Sequence, residues 1–230
     1  MQGNYHMALE YMERCLILKL IIYGPNSIEV KKGCKEVSKV INVLLVSHLE
    51  SDDPKYDTWP NDLFKKAEVL SSGHPDVQAA TFNNVACYHR NRGNMHTALE
   101  FLQRALRIEQ EENASRQNIG SDSSRCWQVA DTHLNLCAVL SKMNQHQRAL
   151  THANEGIVML RDHDRCSLDR IVIVATAYYN KAVEHEFLGQ FDKSVAALRK
   201  GKDIGDKYLP EHAITHKLSE ALDSRKPKKK

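Results

Sequence analysis

Apolar residues recur along most of this chain at steps of three and four positions, a spacing typical of helices that bury one face. In residues 77–92, for example, the apolar stripe contains Ala79, Phe82 and Val85. A run of β-branched residues in 28–49 would alone suggest a strand, but its length favours a helix. The pattern predicts about ten helices, and the clearest of them span residues 3–22, 28–49, 77–92, 95–112 and 211–222.

Local signals add detail at the ends of some helices. Ser27 follows Gly24-Pro25 and is an N-cap candidate for the helix over 28–49, and Pro60 suits the first turn of a shorter helix. The polar segment 113–124 has few apolar residues, so we expect a loop or a frayed helix end there.

The chain also repeats itself. Segments 3–16 and 93–106 align without gaps and are identical at more than half of their positions, and weaker copies begin at Asn144 and Gly189. A second shared element precedes three of these copies, namely Asn84-Val85-Ala86, Asn135-Leu136-Cys137 and Asn180-Lys181-Ala182. The repeated unit is therefore a pair of amphipathic helices joined by a short turn. Small residues on the stripes let the two helices approach closely, as at Ala86, Ala98 and Ala105.

This unit resembles the tetratricopeptide repeat, a helix-turn-helix of about 34 residues. The family pattern has an aromatic residue where this chain has Phe82, and the start of a triplet where it has Asn84. It has a turn residue at Gly93 and small residues at Ala98 and Ala105. The resemblance implies an all-α fold, a right-handed α-solenoid of stacked repeats over residues 1–222. We divide it into a half repeat (3–24), a divergent repeat (26–72), three repeats (76–113, 127–162 and 170–208) and a capping helix (211–222), followed by a basic tail (223–230) that we expect to be disordered.

The copies depart from the family in two respects. The intervals between Asn84, Asn135 and Asn180 exceed the usual unit, and Lys181 stands where an apolar residue is expected. Elongated repeats of this kind, and the phrase His74-Pro75-Asp76-Val77, resemble kinesin light chains and nephrocystin-type proteins.

The N-terminal segment is the second helix of a repeat whose first helix is absent. Its predicted stripe would lack one neighbour and consists of Tyr5, Ala8, Met12, Cys15, Leu16 and Lys19. Either the chain is a fragment or truncated isoform of a longer protein, or the helix mediates self-association, since exposed apolar patches mark interfaces.

In the family, the first helices of the repeats line a concave groove that takes a peptide or a helix. Transferred by position, the resemblance places in this groove Asn83, Asn84, Cys87, Arg90, Asn91, Leu134, Asn135, Lys142, Thr176, Tyr179, Asn180 and Glu186. A second interpretation makes the three triplet asparagines structural groups that bond the backbone of a neighbouring helix. Members of the family that hold chaperone C-termini clamp the terminal carboxylates with cations. The corresponding positions offer no such clamp, so we predict no binding to these acidic tails.

Charge and cysteine content add little to this interpretation. The formal net charge is +3, but Arg225, Lys226, Lys228, Lys229 and Lys230 crowd the end of the chain and leave a slightly acidic remainder. That remainder does not predict a nucleic-acid surface. The tail is either a solvated end or a contact for nuclear import or an acidic surface. The six cysteines form no C-x-x-C pair, and we interpret Cys15, Cys87 and Cys137 as reduced, buried small side chains.

No sequence pattern points to catalysis, a cofactor or a metal. His-Glu-x-x-His, phosphate-binding loops and nucleophile elbows are missing, and His163 and Cys166 lack a second ligand pair. No apolar run approaches the ~20 residues that a membrane span needs, and the first residues do not form a signal peptide.

We therefore predict a non-enzymatic, cytoplasmic adaptor or scaffold that binds other proteins. The likeness to kinesin light chains implies a microtubule-motor or ciliary assembly. The alternative hypothesis is a structural component of a large assembly, such as a microtubule-associated one, that contacts an acidic partner through its lysine-rich tail.

Overall fold

The computed structural model describes residues 2–49, 60–117, 126–160 and 168–225. Over these residues the chain forms ten α-helices and no strand, so the predicted all-α fold class is confirmed. The helices are α1 (Gln2–Tyr23), α2 (Ile28–Leu49), α3 (Pro60–Ser71), α4 (Pro75–Asn91), α5 (Met95–Gln117), α6 (Cys126–Lys142), α7 (His146–Met159), α8 (Leu168–Phe187), α9 (Phe191–Tyr208) and α10 (Ala213–Asp223).

The helices group into two compact units, residues 1–119 and residues 120–230. In the first unit α2 packs against α1, α3 and α4, and α4 pairs with α5. In the second unit α6 pairs with α7, α8 pairs with α9, and α10 packs on both α8 and α9. We call α2, α4, α6 and α8 the first helices of their pairs, and α3, α5, α7 and α9 the second helices.

The helix pairs turn in the same way. Gly93, Asn144 and Gly189 have positive φ angles of 81°, 59° and 70°. Asparagine can replace glycine here because its short polar side chain tolerates the left-handed region. After each of these residues, a backbone N–H bonds to the carbonyl oxygen five positions earlier, at 2.9 Å from Asn94 to His89, 2.9 Å from Gln145 to Leu140 and 2.8 Å from Gln190 to His185.

Close helix packing at small residues is confirmed. Ala98 and Ala105 of α5 have no exposed surface, and Gly201 and Gly205 of α9 are buried. A Cβ atom built on Gly201 would lie 3.0 Å from Cβ of Tyr178 in α8. A side chain at this position would push α9 away from α8.

Two predicted helix starts are confirmed. Ser27 caps α2, because its Oγ accepts a hydrogen bond from the Val30 N–H at 3.2 Å. Pro60 occupies the first position of α3, where the missing N–H of proline costs nothing. The polar segment expected to be a loop or frayed helix end after residue 112 continues α5 as far as Gln117, and residues 118–125 lie outside the described residues.

The interpretation of Cys15 as a buried side chain is wrong, because Cys15 is exposed. The rest of the described stripe is half-buried, namely Ala8, Met12, Leu16 and Lys19, and the buried residue beside it is Leu9. The side chain of Tyr5 lies outside the described residues. Cys87 is half-buried, and Cys137 is buried as expected.

Candidate functional site

The predicted groove residues lie on the first helices α4, α6 and α8. Those in the first unit follow one face of α4. Asn83 and Cys87 are half-buried, as is Arg90, whereas Asn91 is exposed. The amide of Asn83 donates to the Ala79 carbonyl of its own helix at 3.4 Å. This row therefore presents amide and guanidinium groups beside a thiol, which suits a ligand with backbone or side-chain acceptors.

Asn84 links α4 to the preceding first helix. Its Nδ2 donates to Oδ1 of Asn42 in α2 at 3.3 Å, and Nδ2 of Asn42 donates to Oγ1 of Thr81 at 3.0 Å. The Thr81 hydroxyl in turn donates to the carbonyl of Val77 at 2.9 Å. The bond from Asn84 is thus structural, but its partner is a side chain and not the backbone that the second interpretation expected.

In the second unit, the predicted residues on α6 differ in accessibility. Leu134 is only 5% exposed, and its Cδ2 would lie 3.3 Å from a Cβ atom built on Gly156 of α7. It therefore packs between the helices and offers no surface to a ligand. Asn135 is half-buried and Lys142 is exposed.

On α8, two of the four predicted residues already contact α10 or the residues that follow it. The ammonium of Lys217 lies 4.4 Å from the ring centroid of Tyr179, and the guanidinium of Arg225 pairs with the carboxylate of Glu186. Asn180 is half-buried, and the Thr176 hydroxyl donates to the carbonyl of Val172 at 2.8 Å. The structure therefore brings a neighbouring helix onto this part of the surface.

Arg225 was predicted only as the start of the basic tail. It instead follows the end of α10 and contacts α8, with 22% of its side chain exposed. Lys226, Lys228, Lys229 and Lys230 lie outside the described residues. The sequence contained no signal for the contact with Glu186, because the two residues belong to different repeats.

Sequence reasoning also missed buried polar pairs in the second unit. Nδ1 of His133 lies 2.9 Å from Nδ1 of His152, so one ring donates to the other. Burial, with the neighbouring His152 adding, lowers the pKa of His133 to about 4. Nδ1 of His146 lies 2.8 Å from Oε2 of Glu184, a carboxylate that is only 2% exposed.

The thiol of Cys137 is not activated by these polar groups. Burial, together with the charge of Glu184, raises the pKa of Cys137 to about 12, so its sulfur is a protonated thiol at neutral pH and a poor nucleophile. No group of three or more His, Cys, Asp or Glu side chains within the described ranges is placed to hold a metal ion. Of the helices that the structure describes, none has both the length and the apolar composition to cross a membrane.

Comparison with known proteins matches two parts of the chain to family models. Residues 78–112 and residues 175–204 each match a model described as tetratricopeptide repeat. No curated protein matches the chain significantly. Among solved structures, BtubC (BKLC) from P. vanneervenii is similar, with 17% sequence identity and a TM-score of 0.74. The match covers 97% of this chain and 80% of that one, so the two share a fold.

Proposed function

We propose that the chain is a non-enzymatic adaptor whose first helices bind a peptide or helix of another protein, because two of its segments match tetratricopeptide repeat models. The observation that carries this proposal is the contact of α10 with α8. Lys217 of α10 places its ammonium over the ring of Tyr179, and Arg225, which follows α10, pairs with Glu186. The α8 surface thus accepts a helix, the mode in which an amphipathic segment lies along a groove.

In the first unit, α4 packs mainly against α2, α3 and α5. Here Asn83, Cys87, Arg90 and Asn91 form the row that we assign to the partner. Asn84 holds α4 against α2 beneath this row, so the surface is preorganised and a ligand loses less entropy on binding.

Proximity labelling in cells, followed by co-purification, tests this assignment. The variant Arg90→Ala with Asn91→Ala should lose a defined subset of the labelled proteins. The matched control Gln103→Ala changes an exposed amide on α5 and should retain that subset. Identical protein sets for wild type, variant and control would contradict binding at α4.

We also propose self-association through α1. In α5, Phe101, Ala105 and Ile108 pack against Ala79 and Phe82 of α4. The aligned residues of α1 include Tyr11 and Cys15, and both are exposed. Leu18, Ile21 and Ile22 of α1 are exposed as well, at 57%, 73% and 68%. A second copy of α1 would cover this apolar face.

Sedimentation equilibrium distinguishes this proposal from a monomer. The wild-type chain should show a concentration-dependent dimer, and Tyr11→Glu with Leu18→Glu should be monomeric. The control Val69→Glu alters an equally exposed apolar residue on α3 and should still dimerise. A wild-type chain that stays monomeric at every concentration would refute it.

The cellular setting that we propose is a microtubule-motor or ciliary assembly, on the likeness of the elongated repeats to kinesin light chains. A fluorescent fusion should localise to microtubules or cilia, and the Arg90→Ala, Asn91→Ala variant should not. The alternative, a structural component that contacts an acidic partner, is favoured by the five cations among the last six residues. Salt-sensitive binding that disappears when residues 226–230 are removed would support this alternative.

A further inference from the structure

Several basic side chains line a cleft in the second unit. It lies between α7, α8 and α9 and has a volume of about 600 Å³. Lys181 and His185 of α8 line it together with Lys193 and Lys200 of α9. No aspartate or glutamate is among its described lining residues. We call it the lysine cleft.

Lys181 occupies a core position of the repeat. The residues at the same place in the other two triplets are Val85, 3% exposed, and Leu136, 1% exposed. Lys181 is half-buried, and its pKa is lowered by burial and also by the positive charge of Lys200. A cation here forgoes an apolar contact and incurs a desolvation cost, which an anion in the cleft would offset.

The three lysines are not neutralised within the part of the chain that the structure describes. Other lysines are, because Lys35 pairs with Asp76 at 2.8 Å, and Lys202 of α9 pairs with Asp206. No such pair involves Lys181, Lys193 or Lys200 in the described residues. Their charges therefore remain available to a ligand.

The spacing of these charges fits an extended chain. Lys193 and Lys200 are two helical turns apart on α9, or about 10 Å along its axis. In an extended, polyproline-like peptide, side chains three residues apart lie on one edge at about 9 Å. Ile157 and Val158 of α7 also line the cleft and offer apolar contacts. A single phosphate is too small to span this distance, and lysines lack the planar fork with which arginine grips one.

We propose that the lysine cleft binds an extended acidic segment of a partner protein that carries two carboxylates three residues apart and an apolar side chain between them. This site goes beyond the proposed first-helix surface. Tyr178 and Lys181 line the cleft, whereas the neighbouring Tyr179 contacts Lys217 of α10. An experiment can therefore disprove binding at one surface without disproving binding at the other.

His185 supplies a readout inside the cleft. It is 6% exposed, its Nδ1 lies 2.9 Å from Oε1 of Gln190, and burial and the charges of Lys181 and Lys193 lower its pKa. A bound carboxylate opposes those charges and favours the protonated ring. Peptide binding should therefore raise the His185 pKa, and by linkage the peptide should bind more tightly as the pH falls through that range.

Fluorescence anisotropy on the full chain tests the proposal with a labelled, acetylated and amidated probe, Gly-Glu-Leu-Pro-Glu-Gly. Wild type should bind this probe in a salt-sensitive manner, and Lys181→Gln with Lys200→Gln should weaken binding about tenfold or more. The control Lys202→Gln removes the same charge from the same helix outside the cleft and should leave the affinity within about twofold. Circular dichroism checks that each variant is folded.

Charge reversal provides a second test of the proposal. Lys193→Glu with Lys200→Glu should reject the acidic probe and bind Gly-Lys-Leu-Pro-Lys-Gly instead. A histidine resonance absent from His185→Gln should report the rise in pKa when the acidic probe binds to wild type. The proposal would be overturned if Lys202→Gln lost as much affinity for the acidic probe as the cleft variant. It would also be overturned if wild type did not bind the probe, or bound inorganic triphosphate more tightly than the peptide.

Discussion

At the scale of single residues, burial lowers the pKa values of three histidines in the second unit. His133 has a pKa of about 4 in the folded chain, and burial also lowers the pKa values of His152 and His185. In the unfolded chain each returns towards the ordinary value of about 6.5. Below that value the unfolded chain takes up protons that the folded chain does not, so acid favours unfolding.

We expect the free energy of unfolding to fall between pH 7 and pH 5, by about 2 kcal/mol from His133 alone. Urea denaturation at the two pH values measures this loss. His133→Leu should flatten the pH dependence relative to His216→Leu, which changes an exposed histidine. An unchanged pH dependence in His133→Leu would contradict the assignment.

A second residue-scale prediction concerns Gly205, where α9 meets α10. A Cβ atom there would lie 2.5 Å from Oγ1 of Thr215, and that hydroxyl donates to the Leu209 carbonyl at 2.7 Å. Gly205→Ala should therefore destabilise the chain by about 1–3 kcal/mol in chemical denaturation. Adding Thr215→Ser removes one clashing methyl and should recover part of the loss. Full stability of Gly205→Ala would show that α10 can move aside without cost.

At the scale of elements, the sequence predicted helix starts correctly where a single residue has a strong local preference for that position. The capping hydroxyl of Ser27 and the proline at the start of α3 are local signals, and the structure confirms both helix starts. Contacts between repeats left no such signal. The bond from Asn84 to Asn42 and the contact of Lys217 with Tyr179 depend on how helices distant in sequence pack.

The face of α1 was predicted wrongly at Cys15 for a related reason. Its sequence matches that of α5, in which Ala105 packs against α4. In the described structure α1 packs mainly against α2, so Leu9 is buried and Cys15 is not. Sequence similarity predicted the helix and its stripe, but the neighbouring helices determine which side of the stripe is covered.

The turn between α6 and α7 gives an element-scale prediction. Asn144 has a φ of 59°, a conformation that costs most L-residues about 1 kcal/mol. Asn144→Gly should be neutral or slightly stabilising, whereas Asn144→Ala should lower the free energy of unfolding by about 1 kcal/mol. Thermal denaturation followed by circular dichroism compares them. If alanine were as stable as glycine, the turn would have rearranged.

At the scale of the whole molecule, each compact unit has its own core. Leu198 and Leu218 are fully buried in the second unit, and Ile41 is fully buried in the first. We expect residues 120–230, expressed alone, to give a helical circular dichroism spectrum and one cooperative melting transition. The Leu218→Ala variant of this fragment should melt at a lower temperature. A fragment without a transition would show that its core depends on residues 1–119.

The lysine at position 181 has a consequence for protein engineering. Replacing an unusual residue by the one its sister repeats prefer is a common route to thermostable proteins. At this position that strategy would introduce leucine or valine, remove the desolvation cost and raise the melting temperature. The redesigned chain would be more stable, but it would bind an acidic ligand of the lysine cleft only weakly.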